Sequence, residues 1–201
     1  MLATTNPGKV AEIEEIMSGL PVRFLTRQDL SNWPGPIDET GKSYLENALI
    51  KARAFSQTTG KAALADDSGI EVDALDGAPG IRSARFSGPG ATDAQNNSAL
   101  AELMREVPVD SRTARYRCVA VVLTPDGTEI TAEGTCEGTI AMEPAGTGGF
   151  GYDPWFIPEG YEQTFGELSA EVKHAISHRG KALRQLSEKL EGAGLVAGNH
   201  Q

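Results

Sequence analysis

Four short segments carry the side chains able to do chemistry. Thr4-Thr5-Asn6-Pro7-Gly8-Lys9 stands where a strand should give way to a helix. Free backbone N–H groups at a helix start, hydroxyls and a lysine together make an anion site. The segment lacks the G-x-x-x-x-G-K-[ST] pattern of a P-loop, and an ordinary N-cap with a solvated lysine is the competing expectation. Ala65-Asp66-Asp67-Ser68-Gly69 reads as a strand end carrying adjacent carboxylates. Such neighbours repel unless they are solvated, protonated or neutralised by a metal. Hard oxygen ligands suit Mg²⁺, which takes one or two carboxylates and fills its shell with water and phosphate oxygens. Asp-Ser-Gly is also good turn chemistry. Asp38-Glu39 is a second acidic pair, able to supply a further ligand or simply to favour the next helix start.

The third segment, Gly146 to Asp153, satisfies G-x-G-x-x-G at positions 146, 148 and 151. A dinucleotide fingerprint must open a helix, and Tyr152-Asp153-Pro154-Trp155 argues against one, so that reading is rejected. The glycines instead let backbone approach a planar ligand, with Phe150 as a stacking face. The fourth, Lys173-His174-Ala175-Ile176-Ser177-His178-Arg179, concentrates basic groups in an acidic chain. His174 and His178 have the i, i+4 spacing of a zinc pair, but the remaining ligands are missing. Lys173 and Arg179 fit phosphate or purine-carbonyl recognition better, and His174 fits a charged helix surface.

The elements that position these segments alternate between helix and strand. Residues 8–19 place Val10, Ile13, Ile16 and Met17 at helical spacing behind Asn6 as N-cap and Pro7 at the first position. Ser43-Tyr-Leu-Glu46 and Thr92-Asp-Ala-Gln95 are capping boxes that open two more helices. Lys61–Ala65 and Ile70–Leu75 read as separate strands, and Leu2-Ala3-Thr4 as the tail of a first one. Thr113–Thr124 and Thr128–Ile140 form a hairpin about Pro125-Asp126-Gly127. A short strand at Trp155–Ile157 and two helical stretches flanking Ser177-His178-Arg179 complete an α/β chain with a partly antiparallel sheet.

Composition removes several classes. The chain has 201 residues, 28 acidic against 18 basic for a net charge of −10, and 39% hydrophobic residues. It has no overall field for a polyanion, so a nucleic-acid partner is not expected. No apolar run spans a bilayer, and MLATTNPGK lacks the pattern of a secretory signal. Cys118 and Cys136 read as reduced, buried thiols of a cytoplasmic protein. The tail after about residue 192 is glycine-rich and expected to fray.

Taken together, ATTNPGK, SYLENALIKA, ADDSG, GAPGIRSARFSG, GTGGFGYDP and KHAISHRGKAL resemble, in order and spacing, the inosine triphosphate pyrophosphatase (RdgB-like) family from about Leu2 to Leu190. The resemblance implies one domain over residues 1–201, with a long mixed sheet, flanking helices and two lobes about a cleft. It implies a Mg²⁺-dependent homodimeric hydrolase that converts ITP, dITP and XTP to the monophosphate and pyrophosphate. By the same resemblance, Thr4, Thr5, Asn6, Pro7, Gly8 and Lys9 hold the triphosphate, and Asp67 is catalytic base and metal ligand. Glu39 or Asp38 stands near the metal, Ser68 contacts substrate, and Phe150, Gly151, Tyr152 and Asp153 cradle the nucleoside. Lys173, His178 and Arg179 read phosphate or base. A pyrophosphatase for another modified nucleotide, or a sensor that binds without cleaving, are the alternatives.

Overall fold

Three of the long helices begin where a side chain satisfies their first N–H groups. In the computed structural model, which describes residues 1–196, Asn6 caps α1 (Pro7–Ile16) by accepting from the N–H groups of Gly8 and Lys9 at 2.9 and 3.2 Å. Ser43 caps α2 (Tyr44–Thr59), accepting from Glu46 N–H at 3.2 Å. The Glu46 carboxylate receives the N–H of Lys42 at 2.6 Å, so the expected reciprocal contact with Ser43 is shifted by one residue. At α3 (Asp93–Met104), Thr92 and Gln95 do form the reciprocal box. Helices α4 (Ala170–Ile176) and α5 (His178–Gly192) are separated by Ser177 alone, so His178 and Arg179 lie in the first turn of α5.

The sheet has four strands in the order β1 (Ala63–Val72), β2 (Thr113–Leu123), β3 (Glu129–Ile140) and β4 (Phe156–Pro158). The β2–β3 hairpin closes with Thr124 N–H donating to Thr128 O at 3.0 Å. Strand β4 runs antiparallel to β3, with Gly138 opposite Pro158. A Cβ on Gly138 would lie 2.2 Å from Ile157 O, which is why glycine stands in the middle of a strand. Beside these strands a parallel bridge joins Leu2 to Leu64.

The two strands expected at 61–65 and 70–75 are one. Strand β1 runs unbroken through Asp66, Asp67, Ser68 and Gly69, and only Asp73–Leu75 leaves it as a 3₁₀ turn. Turn chemistry loses here because the carboxylates meet cations brought by α1, α2 and α5. Further along, a Cβ on Gly69 would sit 2.2 Å from Gly80 O, and Ser83 Oγ accepts Ile70 N–H at 2.9 Å.

The chain divides into two compact units. The first takes residues 1–67, 118–134 and those from 179 on; its core packs Leu2, Ile13, Leu64, Ala120, Leu183 and Leu186. The second takes residues 68–117 and 135–178, around Ile70, Leu100, Met104, Ile140, Phe156 and Phe165. Both cysteines are free and buried. Among the described residues no helix is long and apolar enough to cross a membrane. Of the tail expected to fray, residues 197–201 lie outside the described residues.

Candidate active site

Successive side chains of a strand point to opposite faces, and β1 uses this to separate its two aspartates. Asp66, 2% exposed, accepts at Oδ2 from Lys9 Nζ at 2.9 Å and Arg179 Nε at 3.2 Å, with Cys118 Sγ at 3.9 Å. Arg179 also donates through Nη1 to Glu12 Oε2. Asp67, 6% exposed, accepts at Oδ2 from Asn47 Nδ2 at 3.1 Å and at Oδ1 from Lys51 Nζ at 3.3 Å. The same ammonium lies 3.0 Å from Glu39 Oε1. Asp38 is exposed, so Glu39 is the member of that pair placed beside Asp67.

These environments drive the neighbouring carboxyls apart. Burial pushes Asp66 up, but Lys9, Arg179 and Lys51 outweigh it and hold the group well below the usual carboxylate range. Burial dominates at Asp67, and Glu39 adds to it, so this carboxyl is raised despite Lys51 and Lys9. Burial opposes the charge on Lys51, yet Asp67, Asp66 and Glu39 raise its pKa. The Cys118 thiol is pushed up to about 12 by burial and by Asp66, which makes it inert at neutral pH.

The donor set suits a hard divalent cation that completes its shell elsewhere. Asp67 and Glu39 converge on one ammonium, and Asp66 Oδ1 is a buried carboxylate oxygen with no hydrogen-bond partner. No group of three or more His, Cys, Asp or Glu among the described residues forms a cage of its own. Mg²⁺ fits such a partial set, because it usually keeps waters and takes phosphate oxygens.

The start of α1 is already partly satisfied. Asn6 Oδ1 takes two of its N–H groups and Thr4 Oγ1 accepts Asn6 N–H at 3.1 Å. Thr5, Asn6 and Pro7 are exposed, and Gly8 is half-buried. Lys9 is no solvated lysine, since its ammonium is held by Asp66.

In the second unit the glycine-rich loop is braced from within. Asp153 Oδ2 accepts from Phe150 N–H at 2.8 Å and from Lys173 Nζ at 2.6 Å, and that ammonium stands 4.8 Å from the centre of the Phe150 ring. Gly149 has φ +72°, and a Cβ there would lie 1.9 Å from Asp153 Oδ2. Gly151 N–H donates to Asp93 at 2.7 Å and Gly151 O accepts from Asn97 at 3.0 Å. Tyr152 is buried and donates its hydroxyl to Ser83 O at 2.8 Å. The His178 ring stacks on Tyr116 with centroids 4.5 Å apart and planes 6° from parallel.

Lys9, Asp67 and Glu39 are thus together in the first unit, and Phe150, Gly151, Tyr152, Asp153, Lys173 and His178 belong to the second. Ser68, half-buried on β1, begins the second unit. Four expected ligand contacts have their polar groups engaged inside their own unit: Tyr152 on Ser83, Asp153 on Lys173, Lys173 on Asp153, and Arg179 on Asp66 and Glu12. Sequence reading missed Lys51, Asn47, Glu12 and Tyr116. Asn47 and Lys51 carried a signal, being one helical turn apart on α2. Tyr116 and Glu12 carried none.

The Ham1 family model matches residues 1–189. The dITP/XTP pyrophosphatase of Desulforamulus reducens is 49% identical over 192 residues, covering 94% of this chain and 94% of that protein. The dITP/XTP pyrophosphatase of Escherichia coli K12 is 47% identical over 192 residues, 94% of this chain and 96% of its own. The structure of a HAM1 protein from Coxiella burnetii aligns with a TM-score of 0.85 at 40% identity, covering 95% of this chain and 97% of that one. The Staphylococcus aureus Ham1 protein aligns at 0.83 and 35%, over 96% and 97%. The chain belongs to the Ham1 family.

Proposed function

We propose that this chain hydrolyses non-standard purine nucleoside triphosphates, ITP, dITP and XTP, to the nucleoside monophosphate and pyrophosphate, clearing them from the nucleotide pool. Relatives bearing the name dITP/XTP pyrophosphatase support the substrate class. The observation that carries the chemistry is the opposed setting of Asp66 and Asp67. Asp66 is committed to Lys9 and Arg179, while Asp67 lies beside Glu39 and is aimed by Asn47 and Lys51, so the two carboxyls can divide the labour of anchor and base. Asp67 is the general base, oriented by Asn47 and Lys51, and takes a proton from the water that attacks the α-phosphorus.

The rest of the machinery follows from charge. Thr4, Thr5, Asn6, Pro7, Gly8 and Lys9 form the triphosphate segment, with the Lys9 ammonium offsetting charge that develops on phosphate oxygens. Asp67 and Glu39 would hold Mg²⁺, which when bound neutralises phosphate charge in the manner of a Lewis acid. Ser68, Phe150, Gly151 and His178 serve the nucleoside end, with Tyr152, Asp153 and Lys173 bracing the loop. Donors that meet a 6-oxo group are left unpaired by a 6-amino group, which penalises ATP. The reading includes a cytoplasmic homodimer whose chain is one domain of two lobes.

The test is pyrophosphate release from ITP in Mg²⁺. ITP and XTP should far exceed ATP, dTTP and dUTP, and Asp67→Asn should lower kcat by about 10²–10⁴, the usual worth of a general base. Near wild-type turnover by a folded Asp67→Asn variant would remove Asp67 from this role; absence of pyrophosphate from ITP would remove the activity.

A further inference from the structure

We infer that Asp93 and Asn97 of α3 are positioning residues for the glycine-rich loop: they grip the backbone of Gly151 and so aim Phe150 at the purine. The inference rests on the function proposed above for the ligand.

Gly151 has φ +63° and lies outside any strand or helix, so its peptide groups need partners other than a ladder. Both partners come from one helix. Asp93 Oδ2 accepts the Gly151 N–H at 2.7 Å, and Asn97 Nδ2 donates to Gly151 O at 3.0 Å. The two side chains are four apart on α3 and therefore share a face. The bond to the carboxylate is charge-assisted, which makes Asp93 the stronger of the pair. The N–H belongs to the peptide plane shared with Phe150, and the carbonyl to the plane shared with Tyr152. The grip thus fixes both planes at a residue whose missing Cβ leaves them free to swing.

The helix is held independently of the loop. Thr92 and Gln95 close the reciprocal cap that sets Asp93 in the first turn. Asn96 is buried, accepts from Ser87 N–H at 2.9 Å and donates to Ala84 O at 3.2 Å. Leu100 and Met104 enter the core, and Arg112 Nη1 donates to Met104 O at 2.7 Å at the far end. Asp93 itself is exposed, so its removal disturbs no core.

Two measurements test this. By NMR, Asp93→Ala should speed hydrogen exchange of the Gly151 N–H about tenfold or more, while the amides of Leu100 and Met104 keep their rates. In pyrophosphate release from ITP, the same variant should raise KM about fivefold and leave kcat within about twofold. Asp93→Asn keeps an acceptor without the charge and should restore most of KM, whereas a role limited to the helix dipole would leave it as impaired as alanine. Asn97→Leu should move KM in the same direction by a smaller factor. In a Phe150→Ala background, Asp93→Ala should change KM by less than about twofold. Unchanged Gly151 exchange, a fall in kcat as large as the rise in KM, or equal KM losses with and without Phe150 overturn the positioning role. Phe150→Ala with an unchanged KM, or an unmodified chain that releases no pyrophosphate from ITP, defeats the functional reading instead, and Gly151 exchange then decides the grip by itself.

Discussion

Replacing Lys51 by methionine isolates what holds the acidic pair together. The Lys51 ammonium is 3.0 Å from Glu39 and 3.3 Å from Asp67, and the three side chains are 11%, 26% and 8% exposed. Removing one partner of a buried ion pair costs about 3–5 kcal/mol, because the remaining charge is stranded. Glu39 reaches solvent with about a quarter of its side chain, which favours the lower end, about 3 kcal/mol. For a chain of this length 1 kcal/mol moves Tm by about 2–4 °C, so Lys51→Met should melt about 6–12 °C lower in metal-free buffer. Mg²⁺ at 100 times its Kd would return about 2.7 kcal/mol. The return should be larger in the variant than in the unmodified chain, since two uncompensated carboxylates attract the ion more strongly. Circular-dichroism melts in EDTA and across a Mg²⁺ titration read both effects. A fall below about 2 °C in EDTA would refute burial of the pair as the source of the cost. Equal Mg²⁺ shifts in the two proteins would refute this pair as the place where the ion binds.

Three further outcomes test other parts of the structure. Gly149→Ala puts a Cβ against Asp153 at positive φ; strain of about 1–3 kcal/mol should appear as a lower Tm, and KM for ITP should rise more than kcat falls. Arg112→Met removes the donors to the carbonyls of Met104, Val107, Ile140 and Ala141; with about 1–3 kcal/mol at stake for a stranded buried acceptor, urea unfolding should show a loss of at least 3 kcal/mol. In metal-free buffer Asp66→Asn should flatten the acid limb of stability. Burial raises that carboxyl but Lys9, Arg179 and Lys51 depress it further, so its contribution is complete above the unfolded value of about 3.9 and drains away as pH falls below that. A limb as steep as that of the unmodified chain would contradict the ion-pair assignment.

What the sequence makes legible is what is local. Asn6, Thr92 and the Pro125-Asp126-Gly127 turn act on neighbours a few residues away, and α1, α3 and the β2–β3 hairpin stand where those residues put them. The rejected dinucleotide fingerprint follows the same logic: Pro154 stands in a 3₁₀ turn that leads into β4, not a helix. Strand β1 is the opposite case. Read alone, Asp66-Asp67-Ser68-Gly69 is turn chemistry, because nothing nearby in the chain pays for two buried carboxylates. The cations that do so come from α1, α2 and α5. Glu39 could not be told from Asp38 for the same reason: the ammonium that chooses between them belongs to Lys51. The pairing of Arg179 with Glu12 and Asp66 was not legible either, because a guanidinium in a basic segment looks ready for an anion, while Glu12 looks like one more exposed acid on an amphipathic helix.

The continuity of β1 is also what lets two identical side chains diverge. In a solvated turn both aspartates would ionise near their ordinary values, and neither would be a better base than any surface carboxylate. In a strand the pleat sends them to opposite faces, so each meets its own set of partners. One side meets Lys9 and Arg179, enough positive charge to overcome burial. The other accepts from Asn47 and from an ammonium that Glu39 also claims, and burial outweighs the pull of Lys51 and Lys9. Moving the register by one residue would put one aspartate in the other's place and leave Ala65 or Ser68 in the position it vacated, so the pair of environments would no longer hold two carboxyls. The difference between the two carboxyls, on which the proposed division between base and anchor rests, therefore resides in the pairing of β1 and in the cations around it, not in the aspartates themselves.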